Sequence, residues 1–128
     1  MAEAVLDSSA ILALLWRERG FEIVGNVVER ALVSVVNEAE VISVLIQHGE
    51  TAEQALSTVQ TLPYQPVDLD RHLARRAGAL WHAFKPRGLS LGDRCCLALA
   101  ERESLPAITS DRRWADLSIG VDVQLFRS

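Results

Sequence analysis

The chain has 128 residues, 49% of them hydrophobic and 23% charged, with seven glycines and four prolines. That size and composition fit one soluble globular domain over residues 1–128 and argue against a disordered, fibrous or two-domain chain. Seventeen acids against thirteen Lys and Arg give a formal net charge of -4, which argues against a broadly basic grip on nucleic acid. Acids gathered around divalent cations would reverse that field locally, so a nucleic-acid enzyme stays open.

The first stretch, MAEAVLDSSAILALLW, has no basic start, and Asp7 interrupts its apolar run. Neither a signal peptide nor a membrane span is expected, and a cytoplasmic location is the default. Its pattern predicts a buried strand ending at Asp7, then a helix that stops at Gly20. A second helix is expected over residues 21–30, because Phe21, Val24, Val27 and Val28 recur at helical spacing. ALVSV reads as a strand. Asn37 is placed to cap a helix running to about His48, with Glu40 at the capping-box position.

Thr51 should cap the next helix, through about Leu62. LPYQPV, with two prolines, fits only a short or edge strand. Asp70 should open a long helix to about Phe84, broken by KPRG. Leu91 to Ser104 reads as a helix, PAIT as a strand, SDRRWADL as a turn entering a short helix, and VDVQLF as a last strand. Four or five short apolar strands alternating with helices predict an α/β domain with a mostly parallel, helix-covered sheet. Cys95 and Cys96 splay about 100° apart on their helix and read as small apolar residues in a reducing compartment.

Ligands of open parallel sheets gather beyond the carboxyl ends of the strands, and Asp7 and Asp111 each follow a predicted strand. Asp93 shares a helix face with Cys96, Leu97 and Ala100, the side that should be buried. It also lies in the first turn, where the helix dipole favours a carboxylate. Glu40 groups with Ser43 and Gln47 on a polar stripe, whereas Glu38 falls among Val41, Ile42 and Leu45. Periodicity alone does not choose between the two glutamates. Aspartates and a glutamate without matching histidines suggest hard oxygen ligands for Mg²⁺ or Mn²⁺. No HExxH, P-loop, GxGxxG or GxSxG motif is present.

Taken together, VLDSSAILALL, SVVNEAEVISVL, GLSLGDRCCLALA and AITSDRRWADL resemble the PIN domain family, in particular the VapC-type toxins of bacterial toxin–antitoxin pairs. The resemblance covers the chain almost end to end. It implies a single PIN domain and an acidic quartet of Asp7, Glu40, Asp93 and Asp111 that is both catalytic and metal-binding. Glu40 is selected because the family's NxAE pattern ends there, and Glu38 stands where the family usually has an apolar residue. Ser9 and Thr109 match positions where small hydroxyl residues support the site.

The same resemblance implies a Mg²⁺- or Mn²⁺-dependent endoribonuclease toxin, a cognate VapB-type antitoxin that blocks it, and a homodimer within the larger assembly. Arg112 and Arg113 are the candidates for substrate phosphate, with Arg17 and Arg94 behind them. Asp116 reads as a surface acid. Trp16, Trp81 and Trp114 are expected in a core or an interface, with base stacking as the functional alternative. A catalytically inactive PIN-like protein, acting in antitoxin-linked transcriptional autoregulation, is the competing reading. A receiver-like protein would need a lysine near the last strand, and the chain's lysine, Lys85, falls in the proline-bounded break.

Overall fold

In the computed structural model, residues 1–84 and 88–127 are described. Lys85 and most of the KPRG break therefore lie outside the described residues. Five strands, β1 (Ala4–Leu6), β2 (Ala31–Ser34), β3 (Gln65–Val67), β4 (Ala107–Thr109) and β5 (Val123–Leu125), form one sheet in the order β3-β2-β1-β4-β5. Every pairing is parallel. The expected α/β class holds, and the sheet is wholly rather than mostly parallel. Strands this short succeed because helices cover both faces: β1 and β2 are buried at every residue.

Alternation along the strands splits the apolar residues into two cores. Ala4, Leu6, Ala31 and Val33 face one way, toward α1 (Ser8–Trp16), α3 (Val35–Gln47) and α4 (Ala52–Gln60), with Ile11, Val41, Leu45 and Val59 among the packing residues. Val5, Leu32 and Ala107 face the other, toward α5 (Arg71–Ala79) and α7 (Leu91–Glu103). Between α1 and β2 runs the short helix α2 (Phe21–Gly25), and α6 (Trp81–Phe84) follows α5. Cys95 and Cys96 are free and buried in the second core beside Leu97 and Ala100, as packing residues.

Several expected boundaries move, each for a local reason. The first helix ends at Trp16, because Arg17 takes a left-handed conformation (φ 53°) and closes it. Gly20 instead starts α2 at φ +88°, where a Cβ would lie 2.3 Å from the Phe126 carbonyl oxygen. The helix expected over residues 21–30 stops at Gly25 and resumes only as a 3-10 turn, Val28–Arg30. The cap of α3 is Ser34, whose Oγ accepts from the Val36 N–H, so Asn37 lies inside the helix. The long helix expected from Asp70 divides at Leu80 into α5 and α6. Thr51 does cap α4, in a reciprocal box with Gln54.

The three tryptophans part company. Trp114, in the 3-10 turn Arg112–Asp116, is fully buried in the second core, while Trp16 and Trp81 are 40% and 44% exposed. Trp114→Ala should cost about 3–5 kcal/mol, the range for losing a large buried aromatic. A thermal melt should show a midpoint about 10 °C lower or more, and a smaller shift would mean that the cavity collapses easily.

Candidate active site

Asp7 follows β1 directly and caps α1, its Oδ1 accepting from the Ala10 N–H at 3.1 Å. Asp7 as a whole is 4% exposed. Ser9 Oγ donates to Oδ1 and Thr109 Oγ1 to Oδ2, each at 2.7 Å. Those hydroxyls are themselves aimed: the Ser110 N–H donates to Ser9 Oγ and the Asp111 N–H to Thr109 Oγ1. Two backbone donors thus push two hydroxyl protons toward one buried acid, and the loop after β4 is tied to the end of β1.

Burial dominates the Asp7 proton equilibrium. It pushes the carboxyl up from 3.8 to about 6 against the lowering effect of the three hydrogen bonds, and the charge of Asp93 adds to the rise. The unfolded chain releases this proton near 3.8, so between the two values the folded state holds more protons. The contribution of this group is therefore greatest at acid pH and falls as pH rises through about 4 to 6, on the order of 3 kcal/mol in all. Without divalent cations, thermal melts should show Asp7→Asn flattening the pH dependence of stability over that window; an unchanged slope would place the titration elsewhere.

Glu40 comes from the middle of α3, and its position is set by contacts with α7. Asn37, fully buried, donates from Nδ2 to Glu40 Oε1 at 2.8 Å and to the Gly92 carbonyl at 3.1 Å. Gly92 is the second residue of α7. A Cβ there would stand 2.2 Å from Glu40 Oε2, so the glutamate rests against the glycine's bare backbone. Glu38 points elsewhere and accepts a 2.7 Å hydrogen bond from the Tyr64 hydroxyl. The structure therefore brings Glu40, not Glu38, to α7.

Asp93 is the third residue of α7, in a reciprocal box with Ser90: the Asp93 N–H donates to Ser90 Oγ and the Ser90 N–H to Asp93 Oδ2. Asp111 caps the 3-10 turn and is clasped by Arg113, Nε at 3.0 Å from Oδ1 and Nη2 at 2.5 Å from Oδ2. That guanidinium is the main cause holding the Asp111 carboxyl below its ordinary range. Arg113 is thus engaged within the loop, while Arg112 and Asp116 lie exposed on the same turn. Arg17 is exposed at the end of α1, and Arg94 packs against α5, donating from Nη1 to the Ala77 carbonyl.

The four acids share one neighbourhood. Beneath them, burial pushes the Cys96 thiol well up, and the charges of Asp7, Asp93 and Glu40 all add to it; Arg113 feels both Asp111 and Asp93. Among the described residues, no three His, Cys, Asp or Glu side chains stand close enough to share one cation as they lie. The donor set nonetheless suits a hard divalent ion: carboxylate oxygens throughout, with the buried Asp7 met by hydroxyls and an N–H rather than by an arginine. Closure around such an ion would require Asp111 to release Arg113. Sequence reasoning missed Asn37 as a buried link and Gly92 altogether. A glycine in the first turn of a helix, beside an acid on the buried face, was the available signal.

Among the described residues, no helix is long and apolar enough to cross a membrane. No curated protein matches the sequence. Solved structures do. The DNA-bound VapBC of Salmonella typhimurium superposes with a TM-score of 0.75 at 18% identity, covering 98% of this chain and 99% of that one. The sarcin-ricin loop cleaving toxin VapC20 of Mycobacterium tuberculosis gives 0.73 at 15% identity, covering 94% and 99%. VapBC-5 from the same organism gives 0.64 at 25% identity, covering each chain completely. These likenesses establish the fold. The model of the PIN domain matches residues 4–120. Since that match runs from the first residue of β1 past all four acids, the chain belongs to the PIN domain family.

Proposed function

We propose that this chain is a VapC-type toxin, a divalent-metal-dependent endoribonuclease held in check by a cognate VapB-type antitoxin. The observation that carries the reading is the buried Asp7, oriented by Ser9 and Thr109 and facing the charge of Asp93. An isolated carboxylate out of water is costly, and such a site is stabilised when a cation meets it. Asp7, Glu40, Asp93 and Asp111 would hold Mg²⁺ or Mn²⁺, which supplies an activated water at neutral pH and charge to offset the leaving oxygen. Asp7 is fixed in orientation by its two hydroxyls, Asn37 holds Glu40 against α7, and Arg112, exposed on the turn after Asp111, would meet a phosphate oxygen. Hydrolysis of this kind leaves a 5′-phosphate and a 3′-hydroxyl on RNA.

The toxin–antitoxin complexes among the structural neighbours support an antitoxin partner, and the family resemblance supports a homodimer within that assembly. The RNA expected to be cut is single-stranded or looped, where bases are accessible. Brief induction in cells followed by sequencing of RNA 5′ ends tests activity and target at once. New 5′-phosphate ends at discrete positions are expected; none above the uninduced background would end the nuclease reading.

A second reading has its own observation. The Asp111–Arg113 clasp and the lack of three convergent ligands among the described residues suit a PIN fold without turnover, serving in antitoxin-linked autoregulation. Calorimetry with Mn²⁺ separates the two, since the nuclease should give a binding heat that Asp7→Asn removes, and a site without turnover should give none.

A further inference from the structure

Asp111 meets a cation of its own chain. The Arg113 fork holds both carboxylate oxygens, with Nε 3.0 Å from Oδ1 and 3.1 Å from Oδ2, and Nη2 2.5 Å from Oδ2. The Arg113 backbone N–H also donates to Oδ1, so the clasp is built on the same short turn that Asp111 caps. The guanidinium feels, in addition, the negative charge of Asp93 at the start of α7. Its positive charge is therefore shared between two of the four acids proposed to hold a divalent ion.

Two further features bear on how firmly the clasp holds. The Arg113 side chain is 52% exposed against 22% for Asp111, so water competes for the guanidinium and the pair has only the modest strength of a solvated ion pair. On the inner side, the Trp114 indole N–H is buried with no acceptor, yet it adds to the influences that hold the Asp111 carboxyl low. The indole thus stands near the carboxylate but outside hydrogen-bond reach. A buried donor without a partner is a cost that a turn of Asp111 toward it removes. Asp111 therefore has two alternative donors, a guanidinium on the solvent side and an indole on the core side.

We infer that Arg113 is an internal counter-cation of the acidic site, which competes with a divalent ion for Asp111 and so sets the metal concentration at which the four acids close. In the metal-free protein the guanidinium offsets the repulsion among the carboxylates. On metal binding, Asp111 gives up the clasp. This rests on the metal-binding part of the proposed function and not on RNA cleavage. By linkage the two effects are one free energy: whatever Arg113 adds to the stability of the metal-free protein, it subtracts from metal affinity.

The test titrates the full chain with Mn²⁺ by calorimetry near neutral pH and low salt, and adds thermal melts in EDTA and in saturating Mn²⁺. The heat counted is the part that Asp7→Asn removes. Arg113→Gln keeps a long polar side chain without the charge, and should bind Mn²⁺ about fivefold more tightly, a change of ~1 kcal/mol and the scale of a partly solvated ion pair. Its melt in EDTA should fall by about 3 °C, and its melt in saturating Mn²⁺ should match the parent's. Arg113→Lys keeps the charge but loses the fork. It should show both effects in smaller measure, and it carries the test if Arg113→Gln does not fold. Arg75→Gln, the same loss of charge on the exposed face of α5, should show neither. An arginine that merely supports the fold would lower both melts equally and leave Mn²⁺ affinity alone, and that result overturns the proposal. Equal tightening in Arg75→Gln also overturns it, as a general effect of net charge. Heat in the parent that Arg113→Gln does not tighten removes the competition and leaves the metal reading standing. No Asp7-dependent heat in the parent or in Arg113→Gln ends the metal reading itself, and the competition with it.

Discussion

Asp93→Asn is expected to abolish RNA cleavage while leaving the fold intact. The reason lies in what each side-chain atom does. Asn can still accept from the Ser90 N–H, and the Asp93 N–H still donates to Ser90 Oγ, so the start of α7 keeps its box. The substitution removes the charge, one of the hard ligands proposed for the cation and the repulsion that helps raise Asp7. Since partners one layer behind metal ligands already cost about 10- to 100-fold when removed, a direct ligand should cost at least about a hundredfold. That corresponds to ~2.7 kcal/mol in the barrier. Cleavage assays on purified protein, with circular dichroism as the folding control, decide it: activity within twofold of the parent would remove Asp93 from the machinery.

Gly92→Ala should separate activity from stability in a less obvious way. Its added Cβ meets the Glu40 carboxylate at 2.2 to 2.5 Å. What must yield is the far end of a flexible side chain, so the fold can absorb the change. Alanine is also the better helix residue by up to about 1 kcal/mol, which offsets much of a lost Asn37–Glu40 hydrogen bond of similar size. The expected result is a melting temperature within about 3 °C of the parent, with cleavage and Mn²⁺ affinity each down about tenfold or more as Glu40 is turned away. Unaltered cleavage would show that Glu40 is dispensable. Unfolding would show that Gly92 is needed for helix packing alone.

Much of the candidate site is legible in the sequence as placement in the fold, because three of the proposed acids sit where local pattern speaks. Asp7 and Asp111 follow apolar runs that form strands, and Asp93 lies on a helix face whose other members are apolar. Glu40 was different. Choosing between Glu38 and Glu40 depends on Tyr64, 26 residues away, and on the Asn37 contact with Gly92, 55 residues away, and helical periodicity carries no information at that range. Asn37 was misplaced as a cap because β2 passes into α3 without a loop: Ser34 is at once the last strand residue and the helix cap. The broken helices at Gly25 and Leu80 were missed because apolar spacing continues across both interruptions. The engagement of Arg113 with Asp111 is a rotamer choice, which no spacing rule predicts.

The hydroxyl of Thr109 reaches Asp7 across 102 residues, and β1 gains its second neighbour only when β4 pairs with it. During synthesis the first strand and its acid emerge early, then wait with one edge open through most of translation. The acid cannot acquire its orienting donor, nor the sheet its centre, until almost the whole domain has left the ribosome. The candidate site is thus assembled only when both ends of the chain have met in the sheet.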